Sequence, residues 1–150
     1  MLTVAAVRSR VESEIAADMT GWNKSRFVID LFGMDSRQVK HRSFAVGVSG
    51  TDPAPSGQRQ ILADGLRVDT YVTVRFAYRI RIASQVADYD TALGDEQSMI
   101  QSVLSCSRSA LHIELSSVSP RLVVQEPGTS VAYFMGELIF RATHRIALAA

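Results

Sequence analysis

Three histidines, one cysteine and fifteen carboxylates are the side chains of this 150-residue sequence that could do acid–base, nucleophilic or metal chemistry. Their spacing does not gather them. His41 precedes a predicted strand, His112 lies between a predicted helix and strand, and His144 falls on the last strand. None has a histidine or carboxylate at the i, i+4 spacing that brings two ligands onto one helix face. His144 shares the parity of Phe140 and Ala142, which makes it a core or rim residue. Cys106 sits among serines on an apolar helix face and reads as a small buried hydrophobe. With no second cysteine there is no intrachain disulfide and no cysteine metal cluster.

The remaining candidates also have structural readings. Asp88, Asp90, Asp95 and Glu96 cluster near a helix start, where the macrodipole favours negative charge, and they lack calcium-loop spacing. The stretch "GVSGTDPAPSG" is glycine-bearing but lacks the GxxxxGK[ST] spacing and the lysine of a phosphate loop. Its Ser49 is not part of a GxSxG nucleophile elbow. No catalytic residue, metal or cofactor is expected, and the chain reads as a non-enzyme.

Composition narrows the class. Hydrophobic content of 47% with 21% charged residues belongs to a globular chain and not to a disordered one. The formal net charge is +1, so no overall field draws the chain to DNA or to an anionic membrane. Lys24 and Lys40 are the only lysines, and every other basic residue is arginine, whose planar fork suits interfaces. The amphipathic N-terminal stretch lacks a signal peptide's apolar core, and no run reaches the length of a membrane span. A single soluble domain over residues 1–150, made in the cytosol, is expected.

The elements follow from periodicity. Val4, Val7, Val11, Ile15 and Met19 form one helical stripe, with Thr3 placed to cap it and Gly21 to stop it. "RFVIDLFG", 26–33, reads as a short extended run. "RSFAVGVSG", 42–50, alternates and ends in glycine. Residues 50–65 form a long Gly, Pro, Asp and Ser-rich connection. "LRVDTYVTVRFAYRIRI", 66–82, then alternates without a break and predicts one strand buried on one face. A helix follows over "DYDTALGDEQSMIQSVL". Asp88 or Asp90 could cap it, although Gly94 could delay its start to Asp95. Leu111, Ile113 and Leu115 alternate, "SSVSPRLVVQEPG" continues extended with a break at Pro120, and 131–148 forms a second overlong strand.

This order predicts an α+β two-layer sandwich. About four main antiparallel strands would form the sheet, with both helices on one face, in the order α-β-β-α-β-β. Away from the helices, Arg75, Arg79, Arg81, Arg141 and Arg145 would interleave with Tyr71, Tyr133, Met135 and Ile139. Such a mixed stripe has the composition of a protein interface, and it also suits an ordinary surface with scattered apolar residues. A nucleic-acid-binding sheet is a poorer fit, because its basic-glycine aromatic motif and a net positive charge are both missing. Strands this long outrun what a small core covers.

The pattern resembles that of the tail terminator (tail completion) proteins of long-tailed bacteriophages and phage-like particles. An amphipathic helix leads to a strand ending in glycine, an exposed loop, and a long strand closing in "YRIRIASQ". The acidic helix "DYDTALGDEQSMIQSVL" and two final strands complete it. The resemblance implies a homo-oligomeric ring, usually of six copies, at the head-proximal end of the tail tube. There it stops tube polymerisation and meets the head connector or head-closure protein, while genomic DNA passes through its lumen without sequence-specific binding. The implied location is the virion neck, after assembly in the bacterial cytoplasm. Tyr71, Arg75, Arg79, Tyr133, Met135 and Ile139, with Arg59 and Gln60 of the loop, are the residues expected at subunit, tube or connector contacts. Another neck or tail component, or a small α+β ligand-binding or enzymatic domain, stays open.

Overall fold

The computed structural model describes residues 1–24, 40–53, 61–62, 65–119, 122–125 and 131–147. Helix α1 spans Val4–Asp18 and helix α2 spans Gln85–Leu104. The strands are β1 (Asn23–Lys24), β2 (Ser43–Pro53), β3 (Ile61–Leu62), β4 (Gly65–Arg81), β5 (Leu111–Val118), β6 (Leu122–Gln125) and β7 (Val131–Ile146). All belong to one sheet. Its main path is β1-β2-β4-β7-β5, while β3 pairs with β4 and β6 with β7. The class is α+β.

Strict alternation makes β4 and β7 the centre. They pair antiparallel in unbroken register from Leu66 opposite Ile146 to Arg81 opposite Val131. At about 3.4 Å per residue this ribbon is on the order of 50 Å long. Its even-numbered face carries Val72, Val74, Phe76, Phe134, Leu138 and Phe140, all buried. They share one core with Val7, Val11 and Ile15 of α1 and with Ala92, Met99 and Val103 of α2. Full burial contributes about 1.5–3 kcal/mol per large apolar side chain. Phe76 stacks on Phe134 at 5.9 Å, and Trp22 meets it edge-on at 6.2 Å.

Local chemistry sets the helix ends. Thr3 caps α1 by accepting from the Ala6 N–H at 3.1 Å. Just beyond the helix, Gly21 takes a φ of +87°, a left-handed conformation that favours glycine.

Five expectations are corrected. The sheet is mixed, because β1 pairs parallel to β2 at Ser43 and Phe44. The element order gains β1, β3 and β6, so it is not α-β-β-α-β-β. Strand β2 does not stop at Gly50. It passes an irregularity between Val48 and Gly50 and continues to Pro53 opposite Val68. Helix α2 begins at Gln85, so Gly94 lies inside it. Nor does the core run short of the long strand. Val68, Thr70, Val72, Val74, Phe76, Tyr78 and Ile80 are all buried within the single chain. The predicted extended run 26–33, residues 54–60 of the connection and Pro120 lie outside the described residues.

Strands β5 and β6 run in sequence along the same edge of β7. They pair with 138–144 and 132–135 respectively, and the Ser119 N–H donates to the Glu137 carbonyl between them.

Candidate functional site

The sheet face turned away from the helices carries the odd-numbered residues of β4 and β7. Their register decides what each one meets. Arg79 lies opposite Tyr133, Ala77 opposite Met135, Arg75 opposite Glu137, Thr73 opposite Ile139, Tyr71 opposite Arg141, Asp69 opposite Thr143, and Arg67 opposite Arg145. All six expected sheet residues, Tyr71, Arg75, Arg79, Tyr133, Met135 and Ile139, therefore share this face. Arg59 and Gln60 lie outside the described residues.

Their exposure differs from the expectation of an open stripe. Tyr133 is buried and packs with Ala77 and the half-buried Met135. Tyr71 and Ile139 are half-buried, and Arg79 is exposed.

Three of the six arginines on this face, Arg75, Arg81 and Arg141, are paired with carboxylates. Arg75 Nε donates to Glu137 Oε2 at 2.7 Å, directly across the strands. Arg141 pairs with Glu114, which also meets His112 Nε2 at 3.0 Å. Hydrogen bonds from His112 and Arg141 hold the Glu114 carboxyl below its ordinary range. Arg81 grips Asp88 through its Nε at 3.0 Å, its Nη2 at 2.9 Å and its backbone N–H at 2.9 Å. Those side-chain and backbone hydrogen bonds lower the Asp88 pKa to about 2. So Asp88 does not cap α2; it ties the start of the helix to the end of β4. Away from Arg67, Arg79 and Arg145, this pairing leaves little free positive charge along the face.

The histidines and the cysteine are each held in structural contacts. His41 accepts the Arg79 N–H at Nδ1 (3.1 Å) and stands edge-on to Tyr78 at 4.6 Å. Burial, together with Arg42 and Arg79, pushes its pKa down. His144 is buried on the core parity, as its spacing predicts, and burial lowers its pKa too. Cys106 is buried, and desolvation raises its thiol to about 11, which leaves it a poor nucleophile. Among the described residues, no group of three or more His, Cys, Asp or Glu side chains is placed to hold a metal. None of their helices is long and apolar enough to cross a membrane.

The surface that periodicity did not reveal is an apolar groove at the α2 end of the ribbon. Ile80, Ile82, Gln85, Val86, Tyr89, Val123 and Ala132 line about 520 Å³. Val86 is 75% exposed, Val123 50% and Ile82 42%. Three separate elements supply these side chains: the single turn Ile82–Ser84, the first turns of α2, and β6. Only the overlapping apolar character of "RIRIASQV" hinted at it. No protein-family model matches this chain, and no curated protein matches it in sequence.

Proposed function

We propose that this chain is a structural component of a phage or phage-like tail neck, a ring-forming terminator of the tail tube. The observation that carries the reading is the apolar groove around Ile82, Val86, Tyr89 and Val123. Scattered exposed apolar residues are ordinary, whereas a contiguous set lining a groove marks a surface that another chain covers.

Other features support it. Along the path β2, β4, β7 and β5, each neighbouring pair is antiparallel. Both helices pack on one face of them in an α+β arrangement, which is compatible with the resemblance. The sheet ends in β5 and β6 on one side, where further backbone pairing is open to a neighbouring copy. A ring of identical subunits joins unlike patches, and the groove and an exposed sheet edge are such a pair. In this reading Arg79 and the half-buried Tyr71, Met135 and Ile139 line a second contact, to tube or connector, and DNA crosses the lumen without being read.

Native mass measurement tests the ring directly. A closed species of about six copies is the expected result. Adding the protein to growing tail tubes tests the role. Tubes should stop lengthening, and tubes that grow on regardless would overturn the terminator reading.

A further inference from the structure

We propose that the end of the ribbon opposite the apolar groove is a binding site for a phosphate group, built on Arg67 and Arg145. The two are direct cross-strand partners, and both are exposed. Like charges facing each other across a strand pair are destabilising. Neither arginine has an ion pair among the described residues, in contrast to Arg75, Arg81 and Arg141. Both line a cavity of about 580 Å³, together with Ser109, His112 and Thr143.

The cavity has further donors. Reciprocal bonds between Arg108 and Leu111, at 2.7 and 3.0 Å, close the turn before β5. They leave the Ser109 and Ala110 N–H groups at its tip with no backbone acceptor among the described residues. Among the described carboxylates further along this face, Asp69 and Glu114 are already held. Asp69 is buried and accepts from Thr143 Oγ1 at 2.6 Å, Asp52 lies across from it on β2, and Glu114 is held by Arg141 and His112. None of them reaches Arg67 or Arg145.

The chemistry selects the ligand. One guanidinium saturates both oxygens of a carboxylate in a bidentate pair. A tetrahedral phosphate has enough acceptor oxygens to take two arginine forks and the turn amides together, and its charge offsets their repulsion. The site is complete within one chain, so it stands independently of the ring reading.

The test titrates the whole protein with inorganic phosphate at constant ionic strength, following the Ser109, Ala110 and His112 amides by NMR. A duplex oligonucleotide is titrated in parallel. R67Q and R145Q, both at exposed positions, are compared with the parent chain after circular dichroism confirms their fold. Saturable shifts with phosphate, weakened roughly tenfold or more in either variant, are expected for a free phosphate ligand. Binding of the duplex alone, lost in the same variants, would assign the phosphate to a nucleic-acid backbone and still support the site. No response to either probe overturns the proposal. If R67Q and R145Q instead weaken only self-association, these arginines meet another copy's carboxylates, and the phosphate reading falls.

Discussion

His144 Nε2 lies 2.7 Å from Thr70 Oγ1 in the buried heart of the ribbon, and its Nδ1 lies 3.0 Å from the Leu2 carbonyl. A carbonyl only accepts, so Nδ1 carries the proton and Nε2 accepts from the threonine hydroxyl. Thr51 Oγ1, 3.3 Å from Thr70 Oγ1, is then the donor to it. A relay of hydrogen bonds runs from β2 through β4 and β7 to the segment before α1. H144A strands the Thr70 hydroxyl and the Leu2 carbonyl, and should cost about 2–3 kcal/mol in denaturant unfolding.

The same burial gives stability a pH dependence. Folded His144 and His41 titrate below the ordinary histidine range. The unfolded chain therefore takes up protons first as pH falls below about 6.5, and stability declines from there downward. Asp88 adds a second window. With its folded pKa at about 2, its contribution is intact above the ordinary carboxylate range and is lost as pH falls from there toward 2. Denaturant midpoints measured from pH 8 to pH 2 should show a level region and then two declines. H144Q should flatten the first decline and D88N the second.

Gly136 faces Phe76 across β4 and β7, and a Cβ there would come within 2.3 Å of the ring. The ring is fixed by Phe134 and Trp22, so it has nowhere to go. G136A should destabilise by about 1–3 kcal/mol through overpacking, read from chemical denaturation.

Gly94 is the opposite case. It sits inside α2, and a Cβ there meets nothing within 4 Å. G94A should stabilise by about 0.5–1 kcal/mol, visible as a raised thermal midpoint.

Val86 separates folding from assembly. It is mostly exposed, so V86D should leave the far-UV spectrum and thermal midpoint of the single chain unchanged while lowering the assembled fraction in native mass spectra. An assembled fraction equal to that of the parent chain would remove the groove from the subunit contact. Y133D should behave differently, because Tyr133 is already buried in the single chain and a charge there would unfold it.

The long strands were legible because one buried face imposes a period of two on the sequence. The reading of 66–82 and 131–148 falls within two residues of β4 and β7. The stripe Val7, Val11, Ile15 and Met19 was legible for the same kind of reason, at the helical period. Strand β1 was not, since two polar residues carry no period and pair only because Ser43 and Phe44 present an open edge. The start of α2 was misplaced because a local cost at Gly94 was weighed without the packing of Ala92, Met99 and Val103, which outweighs it. The shared face of Tyr71, Arg75, Arg79, Tyr133, Met135 and Ile139 could be read from parity. Their burial could not, because it depends on which side chains pack beside them, as Ala77 and Met135 do against Tyr133. The groove and the Arg67–Arg145 pair each join residues distant in sequence, and only the register brings them together.

The place of β7 between β4 and β5 has a consequence for biosynthesis. Residues 131–146 follow both of their neighbours in the chain, so nothing joins β4 to β5 until β7 has been made. Leu2 donates its N–H to the Arg145 carbonyl, which ties the segment before α1 to the far end of β7. The sheet is therefore complete only once β7 has paired on both of its edges. Until then its half-built sheet is a target for chaperones and for mispairing with sister chains on the same messenger.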